Sequence, residues 1–383
     1  MALTNKLSAI GDAIREKTGK SEKLTLEQMP VEITSITTGG GGEVEPLVLT
    51  GDCKYACAGA MAIKYIDLYG DTVSTKDITD AAYMFYQNRN KTIPFEINIS
   101  GSASSCQFSN MFHDCINLIS LPKLNANNRT PSNFDNMFLG CDALREIPDD
   151  YFDSCNFDPI KNSTSAYTYN AGGMVSGCTS LRKAPSTIFK NMNPIGYVSY
   201  SYFYRGFSAC HNLDELIDTP IPYTAATWTS NAFYDFVSLC GRLKRFTFET
   251  NEDGTPMVVK WKSQTIDLLT HVGYAASKHY ILNYNSGITA DKEVVDDATY
   301  QALKDDPDWF TTNIAYSRYN HDSAVATINS LPDTSAYLAT AGGTNTIKFK
   351  GDAGSLTDGG AINTLTEEEI AVAAAKGWTV TLS

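Results

Sequence analysis

The chain has no excess of positive charge: 30 Lys and Arg residues stand against 43 Asp and Glu residues, giving a formal net charge of −13. Capture of nucleic acid or of an anionic membrane surface depends on clustered lysine and arginine side chains. We therefore expect no nucleic-acid partner. Long apolar runs are also missing, since none reaches the roughly 18 residues that a membrane span needs. We expect no membrane insertion.

The first twenty residues, MALTNKLSAIGDAIREKTGK, lack the features of a secretory signal peptide. They contain neither a continuous apolar core nor a small-residue cleavage site. We therefore expect the protein to be made and first folded in a cytoplasm. Cysteine is sparse as well, because nine in 383 residues are too few, and too regularly placed, for a disulfide scaffold.

Motifs for catalysis and for metal binding are missing too. The sequence has no GxSxG, no phosphate-binding P-loop and no HExxH, and CKYAC (53–57) has no second cysteine pair for a zinc site. His113, Asp114 and Cys115 are adjacent and could suggest a nucleophile with its base. Only the cysteine of this trio recurs along the chain, which favours a structural role. We predict no catalytic residue, no metal site, no cofactor and no enzymatic activity.

What the sequence does contain is a repeat. Its shared form is an apolar residue, Phe or Val, two variable residues, Cys, two variable residues and Leu, often followed by three residues and Pro. The copies are NMFHDCINLISLP (110–122), NMFLGCDALREIP (136–148), GMVSGCTSLRKAP (173–185), RGFSACHNLDELI (205–217) and YDFVSLCGRLKRF (234–246). A degenerate forerunner at 82–97 carries Asn88 in place of the cysteine. The spacing varies, so we expect loops between the units.

The two halves of each unit have different patterns. The half around the cysteine has apolar residues at helical spacing, which predicts one or two turns of helix, and the half after the leucine alternates like a short strand. One unit is too small to bury its apolar side, so stacked units would share a core and a parallel sheet, which is a solenoid. The predicted core residues are Cys115, Leu118, Cys141, Leu144, Cys178, Leu181, Cys210, Leu213, Cys240 and Leu243.

The phrase NMFxxCxxLxxLP resembles the leucine-rich repeats of the BspA-like type, which are common in bacterial surface proteins and in tail proteins of phages and prophages. The resemblance covers about residues 80–250, with less regular spacing than in typical members. It implies the fold class α/β, as an irregular leucine-rich-repeat (BspA-like) solenoid with a small N-terminal helical segment. The closing stretch, 345–382, also resembles the last segment of phage-borne BspA-like proteins.

The N-terminal residues read as a separate piece. Leu3, Leu7, Ile10 and Ile14 lie on one stripe of a helix, and so short a segment can bury this stripe only against a partner or against copies of itself. Helix, Thr-Gly and LTLEQMP, in that order, resemble the N-terminal segment of tail and baseplate proteins from phages of Gram-positive gut bacteria. A helical hairpin packed on its own domain is the alternative.

These features divide the chain into four parts. They are an N-terminal helical docking and oligomerisation segment (1–36), a Gly-rich linker (37–45), the BspA-like solenoid (46–250) and a C-terminal α/β repeat-like and capping region (251–383).

Tyrosines cluster between the repeats. Aromatic side chains with a polar tip stack on sugars and anchor protein interfaces, although alternate tyrosines of a strand can also simply pack across a strand pair. The candidate ligand-binding face consists of Tyr167, Tyr169, Tyr197, Tyr200, Tyr202, Tyr204, Tyr223 and Trp228.

Together with the resemblance, these features lead us to expect a non-enzymatic structural protein of a phage virion: a tail fibre, receptor-binding or baseplate component. Its N-terminus would dock on other virion proteins, and its repeat body would bind a host surface glycan or protein. We expect a homo-oligomer, for example a trimer, assembled in the host cytoplasm and released in the virion by lysis. A bacterial cell-surface adhesin and a tail-borne glycan-degrading enzyme are the alternatives.

Overall fold

The structure is a computed structural model, and it describes part of the chain. The described residues are 47–59, 73–99, 105–157, 171–184, 204–219, 227–228, 232–238, 240, 243–268, 279–283, 291–295, 298, 320–349 and 365–382. The predicted docking stripe of Leu3, Leu7, Ile10 and Ile14 lies outside these residues, as does the whole Gly-rich linker (37–45). Their assignments stay predictions.

The chain folds into a parallel β-solenoid of about seven circuits, here called coils, with few helices. The strands are β1 (Val48–Asp52), β2 (Ser74–Asp80), β3 (Ile97–Asn98), β4 (Ser105–Gln107), β5 (Leu124–Asn125), β6 (Thr130–Asn133), β7 (Glu215–Thr219), β8 (Thr227–Trp228), β9 (Arg245–Phe248), β10 (Lys260–Trp261), β11 (Thr265–Asp267), β12 (His279–Asn283), β13 (Asp291–Val295), β14 (Asn345–Phe349) and β15 (Trp378–Leu382).

Strands from successive coils pair in parallel. The pairs are β1–β2, β3–β5, β4–β6, β7–β9 and β8–β10, and parallel pairing between successive copies is the register that stacked units require. The predicted repeat solenoid with a parallel sheet is confirmed at this level. β12 and β13 form a separate antiparallel pair.

The segments around the repeated cysteines are chained β-turns, so the predicted helix is wrong. In the copy at 108–115, the Met111 amide donates to the Phe108 carbonyl and the Cys115 amide donates to the Phe112 carbonyl. The third residue of each turn, Asn110 or Asp114, has φ of 55° or 57°, the left-handed conformation that a type II turn requires there. Left-handed residues cannot continue a right-handed helix.

The same pair of left-handed residues recurs four positions apart in other coils. The pairs are Tyr55 and Gly59, Tyr83 and Gln87, Asn136 and Gly140, Gly173 and Gly177, and Arg205 and Ala209. Spacing of apolar residues alone could not distinguish these chained turns from a helix, because both place two adjacent apolar residues on the inner side.

Alternate amides of each chained-turn segment bond to the next coil. The Phe112 amide donates to the Met137 carbonyl at 2.8 Å, and the Asn110 amide donates to the Asp135 carbonyl at 2.8 Å. The amides between them form the local turns. Every amide from residue 110 to residue 115 therefore has a backbone partner, which buried backbone requires.

The repeated cysteines and leucines form the core beneath these turns. Each of the ten predicted core residues is at most 1% exposed. The Cys141 thiol donates to the Phe112 carbonyl of the preceding coil at 3.0 Å, and the other four repeated cysteines make the equivalent bond at 3.0–3.1 Å. We call these five cysteines the thiol row. Phe112 also stacks in parallel on Phe85 and Phe138, with centroids 5.2 and 5.6 Å away.

A helix covers the free edge of β9. The described helices are α1 (His321–Ser330), α2 (Ser335–Ala341) and α3 (Glu367–Ala375). Along α1, the Ser323 hydroxyl donates to the Lys244 carbonyl and the Thr327 hydroxyl donates to the Phe246 carbonyl. The Ser330 hydroxyl accepts from the Phe248 amide at 3.0 Å. These three hydroxyls therefore supply hydrogen-bond partners that a further strand would otherwise provide along this edge.

The C-terminal residues build a small parallel sheet in the order β11, β14, β15. Asn345 is fully buried: its side-chain oxygen accepts from the Gln264 amide at 2.9 Å, and its nitrogen donates to the Trp261 carbonyl at 3.1 Å. The side chain of Trp378 donates to the Pro332 carbonyl at 2.8 Å. These bonds connect β14 to the end of β10 and the residues just after it, and β15 to the residues just after α1.

The thiol row predicts a graded response to substitution at Cys141. Cys141→Ala should lower the free energy of unfolding by about 1–3 kcal/mol, because it removes the donor to Phe112 and leaves a small cavity. Cys141→Ser keeps a donor and should lose less. Urea denaturation measures both. Cys155→Ala removes the same atoms from a buried cysteine outside the row, and an equal loss there would contradict a contribution from the thiol bond.

The hydroxyl seam between α1 and β9 makes a second prediction. Thr327→Val keeps the side-chain volume but leaves the buried Phe246 carbonyl without its donor from α1, so it should destabilise the fold by about 1–3 kcal/mol. Thermal or urea unfolding measures this loss. Thr340→Val changes an exposed threonine of α2 in the same way and should stay within about 0.5 kcal/mol of the wild type. Wild-type stability of Thr327→Val would overturn this assignment.

Candidate ligand-binding site

The chained turns present rows of side chains, with one member from each coil. The inter-coil bonds align Lys54, Ala82, Ser109, Asp135, Gly172, Tyr204 and Tyr234, which we call the outer row. The residues directly after them are the first left-handed residues of each coil, and we call them the left-handed row: Tyr55, Tyr83, Asn110, Asn136, Gly173, Arg205 and Asp235.

A pocket opens where both rows have lost their side chains. It measures about 270 Å³ and lies over Gly172 and Gly173, with Ser176 from the same coil. The preceding coil supplies Asp135, Asn136 and Leu139 to one wall, and the following coil supplies Tyr204 and Arg205 to the other. The pocket is therefore a gap made by one coil with small residues between two coils with larger ones.

Glycine at position 173 is favoured by local geometry. Its φ is 64°, and a Cβ there would lie 2.5 Å from the Asn136 side-chain oxygen. Gly172 is different because it is not among the left-handed residues. Backbone groups of both glycines are already hydrogen-bonded: the Asn136 amide donates to the Gly172 carbonyl, and the Gly173 amide donates to the Tyr204 carbonyl. The floor of the pocket thus offers mainly glycine CH groups.

The Tyr204 wall is held in place by its neighbours. The ring of Tyr204 lies parallel to that of Tyr234, with centroids 5.6 Å apart and an angle of 11°. The Arg205 guanidinium lies 5.0 Å from the Tyr204 ring centroid, a cation–π arrangement. Arg205 Nε is also 3.5 Å from Asp235 Oδ2. The aromatic wall is therefore ordered before any ligand arrives.

The predicted ligand-binding face is only partly described. Tyr204 lines the pocket, and Trp228 lies in β8, paired through its backbone with Trp261 of β10. The other members, Tyr167, Tyr169, Tyr197, Tyr200, Tyr202 and Tyr223, lie outside the described residues. Sequence reasoning missed Asp135, Asn136, Gly172, Gly173 and Arg205. The usable signal was the Gly-Gly pair, which stands where other repeats carry larger residues.

A second aromatic cluster lies at the first coils. Tyr55 and Tyr83 stack with centroids 4.8 Å apart, and Tyr83 contacts Tyr86 edge-on at 5.7 Å. Tyr86 in turn contacts the ring of His113 at 5.1 Å. Lys54 Nζ lies 5.7 Å from the Tyr83 centroid. Tyr55 is 51% exposed, so this cluster lies on the surface of the first coils.

The trio of His113, Asp114 and Cys115 does not form a nucleophile with its base. The buried Cys115 thiol donates to the Phe85 carbonyl at 3.0 Å, while His113 Nδ1 lies 2.9 Å from the side-chain oxygen of Asn110. Elsewhere in the thiol row, burial raises the pKa of Cys240 to about 12, so that thiol is protonated at neutral pH. Burial also lowers the pKa of His211 to about 4.

Among the described residues, no group of three His, Cys, Asp or Glu side chains lies close enough together to hold a metal ion. No helix in this part of the chain combines the length and the apolar character that crossing a membrane needs. Comparison with known proteins adds no relative: no protein-family model, curated protein or solved structure matches the chain.

The two glycines of the pocket should respond differently to alanine. Gly173→Ala should destabilise the fold by about 1–2 kcal/mol, because an L-residue with positive φ is strained and the new methyl group would contact Asn136. Gly172→Ala, the matched control, adds the same methyl group at a neighbouring buried position without positive φ, so it should destabilise the fold less than Gly173→Ala. Urea unfolding of both variants measures the difference, and equal stabilities would contradict the backbone geometry given for Gly173.

Proposed function

We propose that the protein is a non-enzymatic structural component of a phage virion, a tail fibre, receptor-binding or baseplate protein that binds a host surface through its repeat body. The observation that carries this proposal is the pocket over Gly172 and Gly173, which is lined by Tyr204 and Arg205 and exposed on one side of the solenoid. A preformed concave site with a fixed aromatic wall favours binding.

The resemblance of the repeat and of the two chain ends supplies the virion part of the proposal. The chained turns carry the NMFxxC half of each unit, which is the part that resembles BspA-like leucine-rich repeats, and we propose that this solenoid is an irregular member of that class. Residues 1–36 would dock on other tail or baseplate proteins and assemble the chain into a homo-oligomer, for example a trimer. The protein would reach the host surface in the released virion.

The lining of the pocket supports binding over cleavage. Glycosidases place two carboxyl groups across the scissile bond, about 5–9.5 Å apart. Within the described residues, Asp135 is the only acidic residue that lines this pocket. A tail-borne glycan-degrading enzyme would need a second carboxylate there. The adhesin alternative shares the binding surface and differs in where the protein is displayed.

Cell binding tests the proposal directly. The full chain and a form without residues 1–42 should both bind cells of a susceptible Gram-positive gut host, because the binding surface lies in the repeat body. Fluorescently labelled protein and flow cytometry measure this, with a panel of unrelated bacteria as the control. If neither form binds any host cell, the protein is a virion scaffold and the receptor-binding assignment is wrong.

A further inference from the structure

The size of the pocket over Gly172 and Gly173 limits its ligand to one small, compact unit. Its volume of about 270 Å³ lies just under the range of about 300–1,000 Å³ that is typical of sites for drug-sized molecules. Resting on the proposed function, we propose that this pocket binds a single neutral sugar residue of a host surface glycan.

The lining has the two-sided character that a sugar ring requires. The floor of the pocket is apolar. Leu139 contributes an apolar side chain, and the Gly172 carbonyl and the Gly173 amide are already bonded to the preceding and the following coil. The walls carry a carboxylate, an amide, a hydroxyl and a guanidinium, so they supply both hydrogen-bond donors and acceptors. A pyranose ring likewise presents CH groups on its faces and hydroxyl groups around its edge.

The charges of the pocket favour a neutral ligand over an anionic one. Among the described residues that line the pocket, Arg205 is the one cation, and its Nε lies 3.5 Å from Asp235 Oδ2. Asp135 adds a further carboxylate to the opposite wall. A phosphate or an acidic sugar would therefore meet a cation that already faces a carboxylate, with a further acidic side chain on the opposite wall. A neutral hydroxyl group can accept from the guanidinium and donate to the carboxylate without this repulsion.

The fixed aromatic wall lowers the entropy cost of binding a ligand. Tyr204 is stacked on Tyr234 and covered by Arg205, so its ring does not have to be ordered when a ligand binds. With its ring in contact with both Tyr234 and Arg205, Tyr204 meets a ligand with its edge and its phenolic hydroxyl. Tyr204 is accordingly the anchoring residue of the proposed subsite.

Gly172→Tyr is the sharpest variant, because it fills the pocket with the chain's own aromatic ring. The outer row already carries tyrosine in the next two coils, at Tyr204 and Tyr234, and Gly172 is not left-handed. Gly172 is buried, so the new ring can be accommodated only by occupying the pocket, and thermal unfolding checks that the variant stays folded. Lys54→Tyr places the same ring in the same row at the first coil and is the matched control.

The first measurement uses the full chain and defined small probes. Saturation-transfer NMR would be run with the methyl glycosides of glucose, galactose, N-acetylglucosamine and rhamnose, and with glucuronate as an anionic probe. Inorganic phosphate, which has no carbon-bound protons, would be added as a competitor of the glycosides. At least one neutral glycoside should bind the wild type and Lys54→Tyr, and should not bind Gly172→Tyr. Tyr204→Ala should weaken the affinity about tenfold, since an aromatic contact contributes up to about 1.5 kcal/mol. Preferential binding of either anion would overturn the inference.

The second measurement separates this inference from the proposed function. Host cells would be treated with periodate, which oxidises the vicinal hydroxyls of sugars, or with protease. Binding that is lost after periodate and in Gly172→Tyr supports the sugar subsite. Binding that survives both, or that is lost only after protease, overturns the subsite and leaves the receptor-binding function standing. If glycosides bind but cells do not, the sugar subsite stands and the receptor-binding function is wrong. If neither binds, both proposals are wrong.

Discussion

The alternation of amide hydrogen bonds in the chained turns is the constraint on which the solenoid depends. In each coil, every second amide closes a local turn and the amides between them reach the next coil, as Met111 and Phe112 do. This alternation requires left-handed residues at fixed positions, and Asn110 and Asp114 adopt that conformation. Asparagine, aspartate and glycine tolerate it best, which is why they recur in the repeat. The strands add only short stretches of pairing to this framework.

The thiol row joins the backbone pattern to the core. A cysteine is small enough to be buried at the end of the second turn, and its thiol still donates to a carbonyl of the preceding coil. The carbonyl of Phe112 consequently accepts from the amide of Cys115 and from the thiol of Cys141. An aliphatic residue could fill this volume, but it could not make the second bond. The recurrence of cysteine therefore has a structural explanation in which chemical reactivity has no part.

Sequence reasoning predicted the solenoid, its parallel sheet and the inward-facing residues, because these follow from a repeated apolar pattern. It gave a helix for the residues around each cysteine, since the positions of Met111 and Phe112 suit a helix and a chain of turns equally. Residues such as Asn110 and Gly140, which tolerate positive φ, are the feature of the sequence that indicates turns. The pocket was harder to predict. Gly172 and Gly173 predict a pocket only if the register of the coils is known, because the gap arises where they align between Asp135 and Tyr204.

The helix α1 has a consequence for how the protein behaves at high local concentration. A parallel solenoid is a template that can grow, since the exposed edge of its last strand invites the first coil of another chain to add on and polymerise. At β9, the hydroxyls of Ser323, Thr327 and Ser330 occupy the backbone groups that such growth would use. A hydroxyl satisfies a strand edge but offers no new edge beyond it. These three groups along β9 are therefore not available to a strand of another chain.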